Sequence, residues 1–98
     1  MKINNEDKLI KDAVSIIKKY LPEAKVYLFG SRACNSFNEK SDIDIAINNK
    51  DLIPFDVLYK INEEIENLPT LLSFDIVDLS KVDKDFKQQV LKEGILIE

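Results

Sequence analysis

The sequence predicts an α/β (α+β) fold, a small mixed β-sheet packed with helices, on three observations. Apolar residues recur at helical spacing in three separate segments, and runs rich in β-formers lie between them. One of those runs, Asp42 to Ile47, alternates strictly, with its isoleucines on one face. The resulting order is helix, strand, strand, helix, strand, helix, which suits a sheet with helices packed against it. The length of 98 residues gives room for one domain, spanning 1–98.

The first helix is expected from about Glu6 to Leu21, where Leu9, Ile10, Ala13, Val14, Ile16, Ile17, Tyr20 and Leu21 form one wide apolar face. Asn5 is placed to cap it, Glu6 and Asp7 suit its positive end, and Pro22 stops it. Lys25 to Phe29 reads as a strand running into a tight turn at Gly30, and Asp42 to Ile47 as a second strand. Pro54 fits the first position of a helix carrying Val57, Leu58, Ile61, Ile65 and Leu68, closed by Pro69. Leu71 to Leu79 is the third strand candidate. Asp83 to Glu93 is the last helix, stopped by Gly94, and Ile95-Leu96-Ile97 is read as an edge strand or a docking segment. If the strands around Asp42 and Leu79 are parallel neighbours, the helix between them forms a right-handed crossover.

Composition removes several functions. No histidine is present, which excludes a Ser-His-Asp triad, a His-Cys zinc site and a histidine base. Lysine and arginine total 14 against 18 acids, a net charge of −4, so direct DNA binding is not expected. A single cysteine, Cys34, excludes an intramolecular disulfide and fits a reducing cytoplasm. With no base to activate it, Cys34 reads as a packing residue rather than a nucleophile. The opening residues are unlike a signal peptide, and no apolar run approaches the roughly 20 residues of a membrane span. Chemistry must therefore come from carboxylates, hydroxyls and lysines, with or without a bound metal.

Asp42 and Asp44 lie two apart on a predicted strand, so both face one side with Cα atoms roughly 6.5 Å apart. Such a pair repels unless a cation lies between, and all-oxygen ligands favour Mg²⁺ or Mn²⁺. Asp75, flanked by Phe74 and Ile76, would join them if its strand neighbours theirs, while Asp78, three residues on, would point the other way. Three converging carboxylates can hold two metals about 3.5–4 Å apart for in-line phosphoryl or nucleotidyl displacement. Gly30-Ser31 supplies a turn whose backbone and hydroxyl can approach a phosphate, with Arg32 or Lys40 adding positive charge. The acidic spacing is not sufficient alone. Asp83-Lys84-Asp85 repeats it at a helix start, where capping and dipole roles account for both acids.

Gly30-Ser31, ten intervening residues and then Asp42-x-Asp44 resembles the signature of the DNA polymerase β-type nucleotidyltransferase superfamily. The short chain and the Gly-Ser-Arg-Ala opening resemble its minimal nucleotidyltransferase (MNT) branch. The resemblance implies a nucleotidyltransferase fold, with Asp42 and Asp44 as metal ligands and Asp75 as a third carboxylate that helps activate the attacking hydroxyl. It implies that Gly30 and Ser31, with Arg32 beside them, hold the phosphates of ATP, and that two Mg²⁺ ions (or Mn²⁺) serve the reaction. The chain departs from the pattern at Cys34-Asn35, where members often carry Arg-Gly. Asn35 tolerates the left-handed backbone that glycine supplies, but the missing arginine weakens the expected grip on the triphosphate.

Members of the branch are commonly encoded beside a HEPN-domain toxin, and several transfer AMP from ATP to a tyrosine of that toxin. An AMPylating antitoxin is accordingly the leading expectation, with the toxin supplying acceptor recognition in place of an appended domain. Transfer to a small molecule such as an aminoglycoside, or to an RNA end, is the alternative within the chemistry. A non-catalytic antitoxin acting by occlusion is the alternative outside it. Apolar residues from Val90 to Ile97 would serve a stable complex under either class.

Overall fold

The computed structural model describes residues 5–30, 43–70 and 73–97, with side chains from residue 8 onward within those ranges. Helix α1 (Asn5–Tyr20) is followed by strands β1 (Lys25–Phe29) and β2 (Ile43–Asn48), helix α2 (Phe55–Glu66), strand β3 (Phe74–Asp78), helix α3 (Lys84–Glu93) and strand β4 (Ile95–Leu96). The predicted order holds, and the last segment pairs as the expected edge strand. Asn5, expected as the cap of α1, is already helical and is the first described residue. The expected strand residue Asp42 and the start of the third strand candidate, Leu71, also lie outside them.

The sheet runs β3-β2-β1-β4. β2 pairs antiparallel with β1 and parallel with β3, so α2 is the crossover between parallel neighbours that the sequence made conditional. Central placement explains the composition of β2. Ile43, Ile45 and Ile47 are fully buried against α1 and α2, together with Val26, Ile17 and Ile61. On the opposite face Ala46 is fully buried under α3, packed with Leu79 and Val90. A strand covered on both faces tolerates little polarity. Asp44 is the single charged residue of β2.

The helix ends follow from local chemistry, with two shifts: α2 closes at Glu66 with Asn67 as its C-cap, so Leu68 lies beyond it, and its start also moves. Pro54 occupies the N-cap of α2 rather than its first helical position; its φ of −59° and ψ of 146° are extended, and its carbonyl accepts from Leu58 N at 3.0 Å. Proline's ring fixes φ but leaves ψ free, so the residue serves one position earlier than read. Asp83 caps α3, its Oδ1 accepting from Phe86 N at 2.8 Å, and Asp85 sits in the first turn. The second Asp-x-Asp therefore supplies a cap, Asp83, and a first-turn acid, Asp85, at the positive end of the helix. Gly94 ends α3 at an ordinary φ of −72°, yet no side chain fits there, because a Cβ would lie 2.5 Å from the Val90 carbonyl oxygen and 3.3 Å from that of Leu28.

A polar clamp ties α1 to α2 on the face of the sheet away from Asp44. Lys19 Nζ lies 2.6 Å from Glu64 Oε1, and the Tyr20 hydroxyl donates to Glu64 Oε2. The Lys19 and Tyr20 hydrogen bonds hold the Glu64 carboxyl below its ordinary range. The same bonds to Glu64 raise both Lys19 and Tyr20.

Candidate active site

Three neighbouring strands bring the site together at one end of the sheet. Phe29, the last residue of β1, is paired with Asp44 of β2, and Asp44 is paired with Asp75 of β3. Residues in register across adjacent strands share a face, with strands about 4.8 Å apart. Phe29, Asp44 and Asp75 therefore form one row. The face is that of Ala46 and Val77, which lie one row further along and are covered by α3. The two acids sit beyond that cover: Asp44 is half-buried and Asp75 exposed.

Gly30 follows Phe29 in the left-handed region, with φ of +75°. A Cβ there would fall 2.3 Å from Asp44 Oδ2 and 3.2 Å from its Cγ. Glycine is required twice, by the backbone conformation and by the carboxylate packed against its Cα. This explains why the β1 strand stops where the sequence predicted. The turn presses its backbone onto the acid, which is the close approach an anion-binding turn needs.

Of the predicted site residues, the structure brings Gly30, Asp44 and Asp75 together, whereas Ser31, Arg32 and Asp42 lie outside the described residues, as do Cys34, Asn35 and Lys40. Among the described residues no group of three or more metal-ligating side chains forms. The described donor set is the Asp44–Asp75 pair. Its chemistry fits a hard divalent cation: both donors are carboxylates, and like charges directly opposite on adjacent strands repel unless a cation is shared. Asp78 behaves as expected of a residue on the other face and is 5% exposed. Its Oδ1 accepts from Ser80 N at 2.9 Å and from Ser80 Oγ at 2.7 Å, which makes it the organiser of the turn after β3.

Two aromatics near the site carry only strand- and helix-forming signals in the sequence. Phe29 stands beside Asp44, and Phe86 of α3 meets its ring edge-to-face at a centroid distance of 5.9 Å. The period of α3 marks Phe86 as apolar but carries no information about which strand residue it meets.

A mixed sheet that sets paired carboxylates beside a glycine turn is an arrangement suited to phosphoryl or nucleotidyl chemistry. Residues 11–98 match the family described as Polymerase beta, Nucleotidyltransferase, and the chain belongs to that family. It is 24% identical over 84 residues to a probable protein adenylyltransferase MntA of Haemophilus influenzae, covering 86% of this chain and 74% of that protein. A crystal structure of a toxin–antitoxin with AMP-PNP matches at 27% identity and a TM-score of 0.73, over 97% of this chain and 73% of the other. The structure of a tri-AMPylated Shewanella oneidensis HEPN toxin in complex with its MNT antitoxin matches at 22% identity and a TM-score of 0.70, over 93% and 70% of the two chains, a likeness of fold. No helix among the described residues is long and apolar enough to cross a membrane.

Proposed function

We propose that this chain is a Mg²⁺-dependent protein adenylyltransferase, the antitoxin of a HEPN-domain toxin, which transfers AMP from ATP to a tyrosine of that toxin. The observation that carries the reading is the register of Asp44 on Asp75, with Gly30 closed against Asp44. The adenylyltransferase relative and the AMP-PNP-bound toxin–antitoxin structure support the donor nucleotide and the kind of partner. Asp42, Asp44 and Asp75 would hold the metal, and Gly30, Ser31 and Arg32 the phosphates. When bound, Mg²⁺ supplies charge neutralisation at the reacting phosphoryl oxygens.

The chain's own residues account for the rest. The tyrosine oxygen attacks the α-phosphorus, an O–P bond forms, the bond to the β-phosphate breaks and pyrophosphate leaves. Asp75, the exposed member of the pair, would take the hydroxyl proton. Gly30 lets the backbone approach the triphosphate without a side chain in the way. Residues 1–98 form one minimal nucleotidyltransferase domain in this reading, and acceptor recognition comes from the toxin. Use of ATP and a single cysteine fit the cytoplasm.

The test is mass spectrometry of the partner toxin after incubation with this chain and Mg²⁺-ATP. Added AMP mapped to a tyrosine, absent with Asp44→Ala, is the expected result. An unmodified toxin that is nonetheless silenced would refute the reading in favour of occlusion.

A further inference from the structure

We propose that Phe86 is the platform on which the nucleobase of the donor nucleotide stacks. The inference rests on the nucleotidyltransferase reading and adds a subsite to it. Neither the two carboxylates nor the glycine turn contacts a base by its chemistry, since both address phosphate and metal. An aromatic ring beside them answers that need.

Phe86 is reached from the carboxylates in two steps. Asp44 pairs with Phe29 across β1 and β2, and the Phe29 ring meets Phe86 at 5.9 Å with an interplanar angle of 89°. The perpendicular geometry fixes the Phe86 ring without stacking over it. Phe86 is 36% exposed, unlike Val90 one turn later in the same helix, which is 4% exposed under the sheet. Its backbone is held as well, because its N–H is bound by the capping carboxylate of Asp83. The ring is therefore fixed at its base, supported by an edge contact and partly open, next to the residue paired with Asp44. A rigid, partly open aromatic is what stacking on a base requires, and such stacking is tolerant of base identity because every base has a π-face. Larger purines gain more from it than pyrimidines.

The experiment separates base contact from support of the fold by using a probe without a base. Binding of Mg²⁺-ATP and of Mg²⁺-tripolyphosphate to the full chain is measured by calorimetry for the wild type, Phe86→Ala and Phe86→Trp. Phe86→Ala is expected to weaken ATP about 5- to 50-fold while leaving tripolyphosphate within about twofold, and Phe86→Trp is expected to restore ATP. The wild type is expected to prefer ATP and GTP over CTP and UTP, and Phe86→Ala to lose that preference. Equal weakening of ATP and tripolyphosphate would show that Phe86 only supports the turn, and unchanged ATP binding would show no contact. Either overturns the proposal. A wild type that binds neither probe overturns the nucleotidyltransferase reading itself, and the platform with it.

Discussion

Gly30→Ala joins backbone strain to chemistry at a single atom. The left-handed φ of +75° costs an alanine about 1–2 kcal/mol. The new Cβ would also lie 2.3 Å from Asp44 Oδ2, against the 3.4 Å at which ordinary contact begins, so the carboxylate must retreat by about 1.1 Å. That retreat is cheap for the fold, because the obstructing atom is the far end of a side chain. For the reaction it is expensive, since a displacement of about 1 Å in a catalytic group costs on the order of 100-fold. The expected variant is folded, with Tm lower by about 4–16 °C at 4–8 °C per kcal/mol, and with AMP transfer reduced by about 100-fold. Calorimetry gives the first quantity, and transfer of label from ATP labelled at its α-phosphate to the toxin gives the second. A cycle with Asp44→Ala isolates the clash, because the Cβ of residue 44 already sits at the 3.4 Å limit. In that background only the backbone cost should remain. Near wild-type transfer by a folded Gly30→Ala variant would refute the reasoning, as would a stability loss that largely disappears in the Asp44→Ala background, since the backbone cost must persist there.

Three further outcomes follow from the same geometry. Asp75→Asn should reduce transfer by about 100-fold or more by removing the proton acceptor. In the metal-free protein it should leave Tm unchanged or slightly raised, because a like-charge pair opposite Asp44 is relieved. Gly94→Ala should loosen β4 at a cost of about 1–3 kcal/mol, since the obstructing Val90 oxygen is backbone and cannot rotate away; faster amide exchange at Ile97, whose N–H bonds Val26 O, is the readout. Glu64 has a lowered folded pKa, so its contribution to stability is present above the ordinary carboxyl value of about 4.3 and fades as pH falls through the lower folded value. Lys19 and Tyr20 are raised, so their share persists below about pH 10 and fades as pH rises through the folded values. Glu64→Gln should flatten both limbs of a stability–pH curve.

The parts of this architecture legible in the sequence are those governed by neighbours along the chain. The alternation around Asp44 identified β2, Gly30 marked the end of β1, and Pro22 the end of α1. The Asp83 cap was readable for the same reason, because its hydrogen bond spans three residues. Long-range register was not readable. The pairing of Asp44 with Asp75 depends on which strands lie side by side and in which direction, and α2 must cross over to make them parallel. Gly94 shows the difference within one residue. Its role as a helix stop was apparent, while the reason for glycine there lies partly in the Leu28 carbonyl, on a strand far earlier in the chain.

That division bears on the candidate site row itself. Phe29, Asp44 and Asp75 come from three strands and share no local pattern, yet each occupies the position its own strand's pleat assigns. Burial then separates them by chemistry. The isoleucines on the other face of β2 are fully buried, which pins its register, because a one-residue slip would exchange Asp44 with an isoleucine across the sheet. The core beneath α1 and α2 is thus what holds the carboxylates in line. A core substitution such as Ile45→Val, which preserves shape and costs about 0.5–1.5 kcal/mol, should leave transfer intact. Insertion of one residue into β2 should abolish transfer even where the chain remains folded.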